Sequence, residues 1–372
     1  MTFDVIVIGL GGMGSAAAAV LARRGVTVLG LEQHAFMHPW RSSHGRTRII
    51  RTAYYEHPAY VPLVRRAFTL WAELERRTNK QLLTPCPCLT VGEPGGELVV
   101  GVRRAAAEHA LPVEAVAAAE VERRYPQLRV PQGHEGVLEQ SAGILAVEEC
   151  VLAQQQDARA AGADLRAEEP VVAWRAVGDG VEVTTAKGTY SAGRLVVTAG
   201  PWATTLVGDM GVPLSVMRQV QWWFGADDSF RVGRFPVFLL DTPQGAYYGI
   251  PVVDGMGVKC ARHYGAAEVL SPDGVRWDVE PGEETAVRGF LSRHLPDLDA
   301  PPRHAEVCMY TLTPDRHFVI DRHPEHPQVA VACGFSGHGF KFAPTVGEVL
   351  ADLAVKGKSD HPIDLFRAGR FR

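Results

Sequence analysis

The chain is poor in cysteine. Its six thiols, Cys86, Cys88, Cys150, Cys260, Cys308 and Cys333, are scattered through 372 residues. That usage speaks against a disulfide framework and for a reducing compartment, and a cytoplasmic protein is expected. Cys86-Pro-Cys88 has one intervening residue, too few for a thioredoxin-type or zinc pair, and reads as packing or loop. No His/Cys/Asp cluster has ligand spacing, so no metal is expected. No window of about 18 apolar residues occurs, which excludes a membrane-crossing helix. Met1-Thr-Phe-Asp leads straight into Val5-Ile-Val-Ile8 without a basic region, so no secretory signal is expected. No basic block stands out: 38 Lys and Arg face 42 Asp and Glu, a net charge of −4. Nucleic acid and anionic membrane surfaces are therefore excluded as partners. A nucleophile elbow, an internal repeat and a low-complexity linker are all missing.

What is present is an ordinary globular composition, 46% hydrophobic and 22% charged, on a chain long enough for two domains. Residues 4–8 form a short apolar run suited to a strand buried on both faces. Gly9-Leu-Gly11-Gly12-Met13-Gly14 follows at once, then an alanine-rich helix predicted over Ser15 to Arg24 and stopped by Gly25. Val26 to Leu31 reads as a second strand, ending on Glu32, which lies 18 residues beyond Gly14. Each piece has a task. Gly9 permits a tight turn, Gly11 lets backbone approach a pyrophosphate, and Gly14 allows close helix–strand packing. The helix N-terminus offers free N–H groups to phosphates, and Glu32 is placed to accept from ribose hydroxyls. This is a dinucleotide site. The fingerprint alone does not separate FAD from NAD.

Residues 35–52 read as a polar, glycine-containing loop running into a basic segment. Helices are predicted over Tyr60–Thr78, Gly101–Ala110, Val116–Arg124, Glu148–Ala163 and Pro344–Val355. Buried strands are predicted at Arg194–Gly200 and Val329–Gly334. Closely spaced aromatic strands from Arg218 to Tyr264 indicate an antiparallel sheet of different architecture. The expected organisation is a discontinuous cofactor domain from residues 1–85, 145–217 and 311–372, with a substrate domain from 86–144 and 218–310.

Several segments taken together resemble the monomeric sarcosine oxidase / N-methyltryptophan oxidase family. They are Gly9–Gly14, Ser43-His44-Gly45-x-Thr-Arg48-Ile-Ile-Arg51, Tyr247-Tyr248-Gly249, Lys259 with His263, Cys308-Met-Tyr310-Thr-x-Thr-Pro-Asp315-x-His317, and Gly334-Phe-Ser-Gly-His-Gly-Phe-Lys341. The resemblance spans nearly the whole chain in order and is weakest around 86–140 and 221–300. It implies a mixed α/β fold: an FAD-binding, Rossmann-like domain of the glutathione-reductase type and a substrate domain with a large mixed or antiparallel sheet. It implies FAD held covalently through Cys308, and oxidation of a secondary N-methyl amino acid by O2 with release of H2O2. A monomer acting on a small amino acid is the corresponding expectation.

The resemblance also assigns roles. Arg51 and Lys341 would grip the substrate carboxylate, the first as a planar fork and the second as a point charge. Lys259 would stand beside the flavin and assist O2 reduction, since a cation stabilises the negative charge formed there. Arg48, His263, Tyr248 and Tyr310 would line the reaction chamber. The cofactor candidates are Gly9, Gly11, Gly12, Met13, Gly14, Glu32, Gln33, Arg41, Ser42, Ser43, His44, Val172, Gly200, Cys308, Gly337, His338, Gly339 and Lys341. Backbone amides of the Gly337–Gly339 loop would support negative charge on a reduced flavin. Taken singly, several of these have plainer readings: Cys308 a buried thiol, Arg51 part of a solvated basic face, the strand tyrosines packing. Three other functions stay open. One is a flavin oxidase of a cyclic or glycated amino acid, for which Trp222-Trp223 leaves room. The others are an NAD-dependent dehydrogenase and a flavin-bound assembly protein without turnover.

Overall fold

The structure, a computed structural model, describes residues 2–266, 268–269 and 271–372. Five parallel strands form the centre of the first large sheet, in the order Asp164–Arg166, Val28–Leu31, Thr2–Ile8, Gly188–Val197, Val329–Cys333. Alternation along the central strand sorts its side chains. Val5 and Val7 face a core shared with the helices Gly12–Arg23, Val61–Thr78, Val147–Ala160 and Ala343–Lys356. Ile6 and Ile8 face the opposite core, beneath Val181 and Val183. With both faces covered, the central strands are apolar throughout. Strand Gly188–Val197 serves two neighbourhoods: its first half closes an antiparallel meander with Gly180–Thr185 and Val171–Val177, and its second half joins the parallel set.

Among the described residues the second large sheet has nine strands. Ser215–Phe224 lies near one edge of it, antiparallel to Val258–Arg262 and to His304–Leu312. Tyr247–Ile250 and Val237–Leu240 continue it, and Val237–Leu240 then runs parallel to Cys88–Gly92. The sheet is therefore mixed. One face is sealed by the helix Thr285–His294, where Phe290 stacks on Tyr247 with ring centroids 4.1 Å apart. The other face looks onto the cavity described below. A small sheet, Thr47–Ile50 with Gly143–Ala146 and Leu83–Pro85, carries the basic segment. Thus residues 47–50 are a strand where a loop was expected: edge pairing with 143–146 supplies the hydrogen bonds that the polar sequence does not advertise.

Other boundaries move for local reasons. The helix expected from Gly101 opens at Glu97. Gly101 is an approach point, since a Cβ there would lie 2.2 Å from the Tyr55 carbonyl oxygen. The helix expected over 116–124 shortens to Ala118–Arg124, because Val113–Ala117 pairs with Glu135–Glu139 as a strand. The first helix starts at Gly12, three residues earlier than predicted. No helix among the described residues is long and apolar enough to cross a membrane.

Gly14 fixes the approach of that first helix to the sheet. A Cβ on it would sit 1.8 Å from the Gly9 carbonyl oxygen and 2.5 Å from Thr198 Oγ1. Neither can yield, because Thr198 Oγ1 itself donates to the carbonyls of Ile8 and Gly9 at 3.0 and 2.9 Å. Gly14→Ala is expected to destabilise the protein by about 1–3 kcal/mol or more, the range for overpacking, and to strip it of flavin. Thermal unfolding and the visible spectrum of the purified variant check both.

Candidate active site

A cavity of about 370 Å³ is lined from both large sheets. Its first part lies at the carboxyl ends of the parallel strands, where open α/β sheets bind ligands. Gly9, Gly11, Gly12, Met13, Glu32, Gln33, Arg41, Ser42, Ser43, Val172 and Gly200 all line it. The helix at Gly12 has no acidic residue in its first turn; Gly12 N donates to Ser43 Oγ at 3.3 Å, and the amides of Met13 and Gly14 that follow are left for an anion. Glu32 is buried; its Oε2 accepts from Leu10 N at 2.9 Å, and its Oε1 accepts from His34 N at 3.3 Å and lies 3.7 Å from His38 Nε2. Arg41 Nε and His38 Nδ1 are buried without a partner among the described residues. A phosphate- and ribose-bearing group supplies the acceptors this cradle lacks, so the residues fit a dinucleotide. Val172 contributes differently: at 69% exposure it is a rim residue. Gly14 and His44 are not in the wall. Gly14 acts through packing, and His44 turns to Glu306, with Nδ1 and Oε2 3.1 Å apart. That bond heads the causes that hold the Glu306 carboxyl down at about 2.

The second part of the cavity is lined by Arg48, Arg51, Tyr248, His263, Cys308, Tyr310, Gly337, His338, Gly339 and Lys341. Here two cations meet a buried carboxylate. Arg51 Nη2 donates to both oxygens of Glu56, at 2.9 and 2.7 Å, while Nη1 donates to the Ala53 carbonyl at 3.0 Å. Its guanidinium also lies 4.3 Å from the centroid of the Tyr54 ring. Lys341 Nζ donates to the His338 carbonyl at 2.8 Å and to Tyr54 OH at 3.3 Å. Burial alone would push the Glu56 carboxyl up, but Arg51, His338 and Lys341 hold it at about 2. Lys341 is pushed down to about 7, first by burial and then by the neighbouring Arg51 charge.

His263 packs 4.0 Å from the Tyr264 ring centroid and 5.7 Å from that of Tyr310, and its Nδ1 is 3.4 Å from Tyr310 OH. Burial lowers it to about 4, so it is neutral near pH 7. Arg48 is held by three oxygens: Ser42 O at 2.8 Å, Thr47 O at 2.9 Å and Gln221 Oε1 at 3.3 Å. Lys259 is 2% exposed and lies behind the wall rather than in it. Its Nζ donates to Gly45 O at 2.8 Å and Thr47 O at 3.1 Å, and sits 5.2 Å from the Trp223 ring. Burial, then Arg48, drives its affinity for a proton well below that of an ordinary lysine. Cys308 is buried mid-strand in the cavity wall; burial raises its thiol, and Arg48 and Lys259 oppose that rise.

Sequence reasoning missed Glu56, Tyr54, Gln221 and Glu306. For Glu56 a signal existed, an acid five residues beyond Arg51. The other three are ordinary strand or loop residues until the sheets pair.

A nucleotide cradle continuous with a chamber of paired cations, a neutral histidine and a strand thiol defines a flavin-type oxidoreductase acting on a small acid. Residues 4–353 match the family described as FAD dependent oxidoreductase. The chain is 45% identical over 372 residues to monomeric sarcosine oxidase of Streptomyces avermitilis, covering 98% of this chain and 97% of that one. It is 36% identical over 375 residues to N-methyl-L-tryptophan oxidase of Yersinia pestis, covering 100% of both. The solved structure of NikD, an unusual amino acid oxidase essential for nikkomycin biosynthesis, superposes with a TM-score of 0.87 at 28% identity, covering 98% of this chain and 97% of that one. The chain belongs to the FAD dependent oxidoreductases and, within them, to the monomeric sarcosine oxidase and N-methyl-L-tryptophan oxidase family. It is a flavoprotein of the amino acid oxidase type.

Two outcomes follow from the charges. Arg51→Met leaves Glu56 buried with only His338 and Lys341 near it and is expected to destabilise by about 3 kcal/mol, the lower end for a broken buried pair; the double variant with Glu56→Leu recovers most of it in denaturant unfolding. A simple carboxylate such as propionate binds the protonated Lys341 more tightly, so its Kd is lowest at about pH 5–6, where the ligand is still ionised, and rises as pH passes about 7. Lys341→Met removes that slope, which titration of the flavin spectrum with propionate reads.

Proposed function

We propose that the protein oxidises a secondary amino acid, sarcosine or another N-methyl amino acid, with O2, giving the demethylated amino acid, formaldehyde and H2O2. The observation that carries this is the pair Arg51 and Lys341 in a chamber shared with neutral His263 and the thiol of Cys308. FAD, when bound, accepts two electrons from the substrate and passes them to O2. The names of the relatives, monomeric sarcosine oxidase and N-methyl-L-tryptophan oxidase, support the substrate class.

The chain's own residues do the rest. Arg51 and Lys341 hold the substrate carboxylate; to receive it, the Arg51 fork must share or release Glu56. His263, Tyr248 and Tyr310 orient the amine without offering it a charge, which favours the neutral, electron-rich form. Gly9, Gly11, Gly12, Met13, Glu32, Gln33, Arg41, Ser42 and Ser43 hold the nucleotide, and the Gly337–Gly339 loop supports the ring. Lys259 serves O2 reduction from behind the wall. The two units proposed are 1–85, 145–217 and 311–372 for the cofactor and 86–144 and 218–310 for the substrate, which the division of strands between the two sheets supports. A cytoplasmic monomer accords with six free, buried cysteines. A cyclic secondary amino acid is the second reading, favoured by the apolar wall of Ile49, Leu239 and Ile250.

Covalent attachment through Cys308 is part of the same reading, supported by the thiol's place in the cavity wall beside Arg48. Acid precipitation tests it. Yellow colour is expected to stay with the pellet, and in Cys308→Ser to pass into the supernatant. H2O2 is expected with sarcosine or N-methyl amino acids. A colourless protein would sink the reading, and silence with every N-methyl amino acid would move it to the cyclic substrates.

A further inference from the structure

The thiol of Cys308 has a neighbour that the reaction scheme leaves unused. In the antiparallel register Gln219 stands opposite Cys308 and Gln221 opposite Glu306. Gln221 is therefore the diagonal neighbour of Cys308 on one sheet face, within reach of a long side chain. It is 1% exposed, and it lines the cavity. Its amide has no freedom of orientation. Arg48 is a donor only, so the oxygen Oε1 must face Arg48 Nη1, at 3.3 Å. Gly45 backs the amide so closely that a Cβ there would lie 2.5 Å from Oε1 and 2.7 Å from Nε2. This leaves Nε2, a buried donor, with no partner among the described residues. Burying an unpaired donor is unfavourable, and the sulfur anion is the acceptor that would relieve it.

We propose that Gln221 is a positioning residue for Cys308: its amide, turned by Arg48, presents Nε2–H to the sulfur and favours the anionic form that becomes bonded to the flavin. The inference rests on the reading of Cys308 as the attachment point. In the attachment an S–C bond forms at the flavin 8α carbon. The thiol proton and one hydrogen of that carbon are lost, and the two electrons released leave with both protons on O2 as H2O2. The charged and titratable groups around the sulfur are Arg48, Lys259, Glu306, Tyr248 and Tyr310. Burial raises the thiol's affinity for its proton most; Arg48, Lys259 and the Gln221 side chain oppose that rise, and Glu306 adds to it. Gln221 stands among them as an uncharged amide whose donor has no other use among the described residues.

The test uses the full chain produced under riboflavin limitation, loaded with FAD and acid-precipitated at timed intervals. Adduct is read as flavin in the pellet and as intact-chain mass. Gln221→Leu and Gln221→Glu are each expected to slow the adduct roughly tenfold near neutral pH, the effect of one hydrogen bond to a charged group. The rate–pH profile moves upward by about one unit, while FAD uptake before precipitation is unchanged. Gln221→Glu keeps an oxygen towards Arg48, so a role confined to bracing that arginine predicts an unaltered rate. An unaltered rate in that variant overturns the inference, and it decides the matter if Gln221→Leu fails to take up FAD. Wild-type protein that releases all its flavin in acid would instead remove the reading of Cys308 and leave the amide without its acceptor.

Discussion

Side-chain alternation along paired strands is the constraint on which the site depends. Trp223, Ile250 and Lys259 lie at matched positions in three neighbouring strands. Two residues along, in strict register, come Gln221 with Glu306, Gln219 with Cys308, and Met217 with Tyr310. All share the face turned to the cavity, while Trp222, Cys260 and Phe224 turn the other way into the core under the helix Thr285–His294. Because the period is two, a slip of one residue would bury the lysine and the thiol in that core and leave its aromatics facing the cofactor. The reactive wall and the hydrophobic core are thus specified by the same pairing.

Buried charge is the second constraint, and it is balanced locally. Arg51 is matched by Glu56, Glu306 by His44 and His304, and Lys259 by two backbone carbonyls. The imbalance falls where a ligand belongs: Arg48, Lys341 and Arg51 outnumber the one carboxylate facing them. An apolar chamber with an excess of fixed donors is pre-organised for an anion, and it lowers the proton affinity of Lys341 and His263 through the same burial that makes the chamber selective. Glu56 occupies, in effect, the carboxylate's place within the protein.

Much of the fold was legible early because its signals are local. The strand, glycine turn, helix and acid of residues 4–32 follow one another without interruption, and each is demanded by backbone geometry. The parallel strands at 194–200 and 329–334 announce themselves as apolar runs. The segment 47–50 was not legible as a strand, because its partner lies about a hundred residues away, and Gly101 misled as a helix start because its purpose is contact with Tyr55. Among site residues, those embedded in glycine-rich or Cys-Met-Tyr contexts stood out. Gln221 and Glu306 did not, since a polar residue in an alternating strand looks solvent-facing until the sheet is closed.

The sequence by itself determined the dinucleotide cradle and the parallel core, since these depend on residue type and short spacing, while the cations and the thiol stood out only through the resemblance to a known family. Only the tertiary structure decided which groups touch. It set Lys259 behind the wall, paired Arg51 with a carboxylate, turned His44 away from the cavity and brought Gln221 to Cys308. Those contacts join strands tens to hundreds of residues apart, and their geometry is fixed by register and burial, which no local stretch of chain contains.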